Sequence, residues 1–492
     1  MLFNTFNFFV FFLVFFICWL LFPAKFKWVS LLIGSVYFYC VASSILILVP
    51  IIICLITYIC SLQINRLKAN DIIFGSIIFI IVSFLLYYKY LNSFIDFAGL
   101  SALSQFSVVA IPIGISYFTF QAIGYLIDVK NNHIALERNI FKLFLYLIFF
   151  TKIIAGPVER ADNFLSQINQ PAKFLYSNFS IGIKLILVGL FKKVVLGDRL
   201  NLLISPAFND LASNEGMPII LASFIFPLQL YMDFSGYTDM ARGFSKILAI
   251  NLTENFNSPF SSTTLTEFWR RWHISLSSWF NEYVFKSLTI STRNWNQFGL
   301  FISLVITFTI IGVWHGPTMG YLVYGVLIGL IVFLETFSKK SRKKIAKKMN
   351  EKAIEMIGHA YFCLIIVFLF LFIKTETLPR YANVVKSMGK IELVKDTKDT
   401  FNHFVHGHPF STDKLNTYTY VGNLLDNYNT RVILIAFLFL LLLNNSKSDK
   451  FNLLNRLKNN TLVRHSGYIV LLLLIMQFGL FHNTNEFLYF RF

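Results

Sequence analysis

Apolar residues run in long blocks along this chain, and most charged residues fall between the blocks rather than inside them. Phe6 to Phe22 is a first block, followed by Lys25 and Lys27. Trp28 to about Ile64 is long enough to cross a bilayer twice, or to cross once and re-enter. Arg66 and Lys68 close that stretch, and Ile72 to Tyr88 is the next span. Further blocks cover Val108 to Ile127, Pro218 to Met232, Phe298 to Phe337, Ala360 to Ile373, Val432 to Leu443 and Tyr468 to Phe481. A helix crossing the hydrocarbon core needs about 20 apolar residues, so Phe298–Phe337 holds two crossings, with Gly316-Pro317 as the break between them. The pattern predicts an all-α polytopic membrane protein of about 10–12 transmembrane helices plus interfacial and re-entrant helices. The short alternating strands of a membrane barrel are not seen. No internal repeat or linker divides the chain, so residues 1–492 read as one membrane domain.

Several stretches are less regular. Asn92 to Gln105 is small and polar and reads as an outer loop. Val108–Ile127 carries Pro112, Gly114 and Gly124, residues tolerated in a membrane helix packed among protein neighbours. Phe141 to Ile154 is too short for a clean crossing and reads as partly embedded. Ile181 to Leu196, interrupted by Lys184, Lys192 and Lys193, is either a tilted span or an interfacial helix whose lysines snorkel to the surface. Asp233, after Pro218–Met232, is either a helix-end residue at the surface or a polar group lining an internal passage.

Composition agrees with this pattern: 56% of residues are hydrophobic, 14% are charged and 57 are Phe. The net charge of +18 raises nucleic acid as a partner. The basic residues are spread between the apolar blocks, however, and the positive-inside rule accounts for them without nucleic acid. The densest cluster, Lys339, Lys340, Arg342, Lys343, Lys344, Lys347, Lys348 and Lys352, reads as a cytoplasmic loop near anionic headgroups. Placing the basic loops inside puts both termini outside and makes 375–431 an extracytoplasmic loop. Phe6–Phe22 has no basic residue before it and no small-residue cleavage site after it, so a removable signal peptide is not expected. His403, His406 and His408 lie in the polar loop without a Cys or carboxylate to complete a ligand set, so no metal site is expected.

Two segments hold the candidate chemistry. From Phe298 to Phe337, tyrosines aside, the only ionisable side chains are His315 and Glu335. An ionisable group at membrane depth is costly and usually faces a cavity or a partner. The bland alternative is a helix-end histidine bonded to a carbonyl in the headgroup zone. The second segment is Glu267-Phe268-Trp269-Arg270-Arg271-Trp272-His273-Ile274-Ser275-Leu276-Ser277-Ser278-Trp279-Phe280. As one helix it collects Leu265, Trp269, Trp272, Leu276, Trp279 or Phe280, and Tyr283 on one face, and Arg271, Ser275, Ser278 and Glu282 on the other. This predicts a helix lying in the interface with a tryptophan belt. His273 joins its apolar side, first as a structural histidine and second as a direct catalytic partner. Arg270 and Arg271 either touch headgroups or attract the phosphates of a nucleotide-like acyl donor.

These segments, with Trp314-His315-Gly316, resemble the membrane-bound O-acyltransferase family, in the branch of the alginate O-acetylation membrane protein. Pro112-Ile113-Gly114-Ile115-Ser116-Tyr117-Phe118-Thr119-Phe120-Gln121, Ala155-Gly156-Pro157-Val158-Glu159-Arg160, Gly189-Leu190-Phe191-Lys192-Lys193, Tyr231-Met232-Asp233-Phe234-Ser235-Gly236-Tyr237 and the ending Glu486–Phe492 extend the likeness. The resemblance implies helices around a central tunnel that both His273 and His315 approach. It implies acyl transfer to a hydroxyl, with His315 as general base and Trp269, Arg270, Arg271, Asp233 and Trp314 near the tunnel or donor. It further implies a bacterial inner-membrane enzyme taking an acyl group, acetyl first, from a cytoplasmic thioester, either acetyl-CoA or an acyl carrier protein. The acceptor is then an extracytoplasmic envelope polysaccharide or a separate transferase. D-alanyl transfer toward teichoic acid is the close alternative, and a transporter or flippase the distant one. The chain departs from the alginate pattern after Tyr283, where Val284-Phe285-Lys286-Ser287-Leu288 leads directly into Thr292-Arg293-Asn294-Trp295.

Overall fold

A computed structural model describes residues 2–67, 70–99, 110–390, 428–443 and 461–481. These are helical nearly throughout, and the one β-bridge among the described residues pairs Phe256 with Trp272. Among the described residues, six helical segments are long and apolar enough to cross a membrane: Ala24–Leu62, Asp71–Asp96, Met217–Ile247, Arg293–His315, Met319–Phe337 and Glu351–Thr375. Phe6–Leu21 and Ser466–Phe478 are shorter apolar helices. The protein is an all-α polytopic membrane protein. Its chain divides into two compact units, one of Met1–Ile186 and Tyr237–Phe362, the other of Leu187–Gly236 and Cys363–Arg491.

The first unit is held by interlocked rings and bare backbone. Lipid tails are as apolar as leucine, so helices in a membrane associate through close packing rather than through escape from water. Phe12 and Phe8 set their rings 4.6 and 4.9 Å from Phe244, and Phe15 and Phe38 lie 5.3 and 5.9 Å from Phe150. Gly34 makes room for Phe15, because a Cβ there would lie 2.4 Å from that ring. Outward faces carry the complementary pattern: Leu13, Ile33, Ile72 and Phe79 are exposed on the protein surface, as suits lipid contact.

Several element boundaries differ from the sequence expectation. The stretch Trp28–Ile64 is two helices, Lys27–Ser43 and Leu48–Leu62, broken at Ser44 with φ 42. The helix from Asp71 continues to Ala98 and ends at left-handed Gly99, so Asn92–Ala98 is helix rather than outer loop. The next helix begins only at Ile115, because Gly114 (φ 72) takes a turn in which Ile115 N–H bonds the Pro112 carbonyl. That helix runs to Lys130 and is buried on nearly every face. The expected extracytoplasmic segment 375–431 opens with the helix Leu378–Met388. Its histidines His403, His406 and His408 lie outside the described residues, as does the ending Glu486–Phe492.

The expected span Ile181–Leu196 is the end of a helix, Tyr176–Leu190, that widens into a π-turn over Phe191–Gly197, and the second unit begins at Leu187 within it. Lys193 does not snorkel. Its ammonium is buried 2.9 Å from Asp198 and 2.5 Å from Asp233. Asp233 is neither at a helix end nor at the surface, since its helix continues to Ile247. Glycines permit the approach: a Cβ on Gly236 would lie 2.7 Å from the Gly189 carbonyl oxygen, and one on Gly197 would lie 3.1 Å from the Asp233 nitrogen. Arg199 ties the same region to the later helices by donating to the Phe478 carbonyl and to Asn429.

Candidate active site

The helices Asn296–His315 and Met319–Phe337 form a hairpin whose backbones touch. A Cβ on Gly312 would sit 2.3 Å from the Tyr321 carbonyl oxygen, and one on Gly325 would sit 2.4 Å from that of Phe308. Only small residues allow this spacing. The break follows His315: Gly316 is extended, Pro317 has no N–H to continue the ladder, and the next helix starts at Met319. His315 is thus the last helical residue. It is 6% exposed, packed in protein rather than against lipid tails. Its ring lies 4.8 Å from Trp314, 6.2 Å from Tyr321 and 6.1 Å from Tyr324.

The Arg-Arg-Trp-His segment is not the continuous interfacial helix that its periodicity suggested. A helix of one turn, Leu265–Phe268, is followed by tight turns through Arg271 and then by a second helix, Ile274–Phe280. The junction is His273, at left-handed φ 46. Backbone pairing with a neighbouring segment outcompetes the helix here. Asn257 N–H bonds the Arg271 carbonyl at 3.0 Å, and Ile274 N–H bonds that of Asn255 at 2.9 Å. The Asn255 side chain then accepts from the Ser275 N–H and hydroxyl.

The first turn is anchored twice. Thr264 and Glu267 form a reciprocal cap, in which the Thr264 hydroxyl accepts from Glu267 N–H and the Glu267 carboxylate from Thr263 N–H. Glu335, from the hairpin, accepts the N–H groups of Leu265 and Thr266 at 2.7 and 2.8 Å, as well as the Thr266 hydroxyl. Three otherwise orphaned helix donors are thereby satisfied in the interior. Glu335, one of two ionisable groups in its apolar block, is a structural anchor.

Trp269, Trp272, Trp279 and Tyr283 are all under 10% exposed, so they pack in protein and form no headgroup belt. The consequence for chemistry is that His273 and His315 both lie against one indole, that of Trp314. A helix flat on the inner face would have kept them apart. Instead the His273 ring lies 6.4 Å from the Trp314 indole, and the His315 ring lies 4.8 Å from it. Phe120 sits between Trp279 and Trp314, at 4.6 and 5.9 Å, and its carbonyl accepts from the Trp279 indole N–H. Burial holds the His273 imidazole down to about 3, so it is neutral at physiological pH.

The other sequence candidates divide. Trp314 is at the centre of the cluster, and Trp269 packs against Phe308 at 5.4 Å. Arg271 is committed to Glu267 at 2.9 Å, and Arg270 is exposed. Asp233 belongs to the second unit, in the ion cluster with Lys193. Sequence reasoning missed Phe120, Asn255 and Lys89. Lys89 donates to the Trp314 carbonyl and lies 5.1 Å from the Trp314 ring. Its signal was present as an ionisable residue at the end of an apolar block, the same signal that singled out His315.

A family model for membrane-bound O-acyltransferases matches residues 129–373, a stretch that holds both histidines and the hairpin. The chain belongs to the membrane-bound O-acyltransferase family. Within it, a probable alginate O-acetylase, AlgI, of Pseudomonas putida is 33% identical over 256 residues, covering 51% of this chain and 52% of that protein. A peptidoglycan O-acetyltransferase of Helicobacter pylori is 30% identical over 337 residues, 62% of this chain and 60% of the relative. A teichoic acid D-alanyltransferase of Bacillus subtilis is 30% identical over 243 residues, 46% of this chain and 60% of the relative. The chain spans roughly half the length of the curated alginate relatives it matches.

Proposed function

We propose that this family member is a bacterial inner-membrane O-acyltransferase. It moves an acyl group, acetyl in the first reading, from a cytoplasmic thioester to a hydroxyl of an extracytoplasmic envelope polysaccharide or of a partner transferase. The observation that carries the reading is that His273 and His315 both lie against one buried indole, that of Trp314. The printed activities of the relatives, O-acetylation and D-alanylation of envelope polymers, support the reaction class.

In this reading the His315 imidazole takes the proton of the acceptor hydroxyl as its oxygen attacks the thioester carbonyl. The new C–O bond forms, the C–S bond breaks, and the leaving sulfur receives the proton from the imidazolium. A positioned base of this kind contributes about 10²–10⁴-fold, and alignment of donor with acceptor contributes further. His273, at the left-handed junction of two short helices and 6.4 Å from the Trp314 indole, is assigned to orienting Trp314 and the bound acyl group. Acetyl-CoA and an acyl carrier protein both present the required thioester, and passages to the two membrane faces are part of the proposal. The D-alanyl alternative is favoured by the Bacillus subtilis relative.

The test is His315→Ala in cells lacking the chromosomal copy. Esters are released from envelope polymers by mild base, and the acid is identified by mass as acetate or D-alanine. Loss to background supports the enzyme, and the released acid names the acyl group. Full ester content with the variant removes the enzyme reading and leaves a transporter.

A further inference from the structure

The helix Asp71–Ala98 lies outside the stretch that the family model matches, yet it reaches the histidine cluster. Its buried face runs through Ile81 and Leu85, and the next position at the same spacing is Lys89. Lys89 therefore continues an inward stripe on a helix whose Ile72, Phe79 and Leu86 face outward. A lysine inside a span is costly unless it is held by partners. Here the partner is the end of the helix that carries His315. Lys89 Nζ donates to the Trp314 carbonyl, and the hydroxyl of the adjacent Tyr90 donates to the Val313 carbonyl at 2.9 Å.

The last carbonyls of an α-helix lack intrahelical donors and carry the negative end of its dipole. At this helix end the Gly316-Pro317 break prevents the chain from supplying all of them itself. Gly316 N–H returns to the Val313 carbonyl, and a cation and a hydroxyl from a second helix add donors to the Trp314 and Val313 carbonyls. Because the capped peptides are those of Val313 and Trp314, the contact sets where the next residue, His315, directs its ring.

We propose that Lys89, assisted by Tyr90, is a positioning residue for acyl transfer: it caps the carbonyl end of the His315 helix and fixes the Trp314–His315 pair. The inference rests on His315 acting as the base. A misplacement of about 1 Å costs about 10²-fold in a reaction that depends on alignment. A loss of that order is expected on removal of the ammonium.

The experiment compares Lys89→Met, Lys89→Gln, Lys89→Arg, Tyr90→Phe and His315→Ala in cells lacking the chromosomal copy. It measures base-released envelope ester, membrane protein amount and the melting temperature of the detergent-solubilised protein. The expected result is wild-type amount and melting for Lys89→Met, with ester down by about 10–100-fold. Lys89→Arg, which keeps the charge and the donor, restores ester to within about threefold, and Tyr90→Phe gives a smaller loss of about two- to fivefold, as one hydrogen bond predicts. Wild-type ester in Lys89→Met overturns the proposal while leaving His315 intact. Loss of folded protein in both Lys89→Met and Lys89→Gln makes the residue a structural one and also overturns it. Wild-type ester in His315→Ala overturns the underlying reading, whatever Lys89 does.

Discussion

In the first unit His273 is buried among aromatic rings, whereas in the second Lys193 is buried between two carboxylates. Both sites remove a titratable side chain from water, and the chain answers the cost differently. His273 gives up its charge. Lys193 keeps its own: burial opposes the charged form, but Asp233 and Asp198 outweigh it and hold the ammonium above its ordinary value. Of the two acids, Asp198 is pushed up to about 6, first by burial and further by Asp233, against the pull of Lys193. A neutral ring beside an indole can exchange partners during a reaction. A cluster whose charges answer one another resists change and acts as a brace across a π-turn, where the ordinary helical ladder is interrupted.

The sharpest test of that contrast is functional loss without structural loss. His315→Ala is expected to lower acyl transfer by about 10²–10⁴-fold with little change in melting temperature. Lys193→Met is expected to do the reverse of a catalytic change. It strands two buried carboxylates and costs about 3–5 kcal/mol of stability, read as a fall in melting temperature and in membrane yield. If Lys193→Met melted like wild type while losing transfer, the brace assignment would be wrong.

A smaller effect is expected at the anchor beneath the active site. Glu335→Ala removes the acceptor of two backbone N–H groups and one hydroxyl, at a cost of about 1–3 kcal/mol. The turn carrying Trp269 loosens, so protease sensitivity between Thr264 and His273 is the local measurement.

The smallest effects at any one pH are two slopes of opposite sign. The folded pKa of His273, about 3, lies below its ordinary 6.5. Its contribution is therefore present above 6.5 and is lost as pH falls toward 3. Asp198, about 6 against an ordinary 3.8, contributes stability below 3.8 that is lost as pH rises through 6. Each slope is at most about 1.4 kcal/mol per pH unit. His273→Asn should flatten the acid side of a melting-temperature profile, and Asn tolerates the left-handed backbone there. Asp198→Asn should flatten the profile between 3.8 and 6. A wild-type profile in either variant breaks the corresponding half of the comparison.

Much of the architecture was legible in the chain. The apolar blocks located the spans, Gly316-Pro317 located the break that makes His315 a helix-end residue, and the Trp-His motifs located the family. The apolar stripe of residues 265–283 correctly named the side chains that are buried. It misnamed their setting, because periodicity reports which residues avoid water and is silent on whether protein or lipid replaces it. The π-turn at Phe191–Gly197 was illegible for a related reason: the ion cluster that repays widening the helix includes Asp233, which lies on another helix.

Sequence by itself determined that this is a helical membrane protein with two histidines set in otherwise apolar or aromatic surroundings. Local propensity and hydropathy act over a few residues and suffice for that. Tertiary structure alone decided that the histidines share one indole, that Asp233 answers Lys193, and that Lys89 caps the helix of His315. Those contacts join residues far apart in the chain, and their energy exists only once the backbones have closed on one another, through Gly312, Gly325 and the Asn255 pairing in the first unit and through Gly197 and Gly236 in the second.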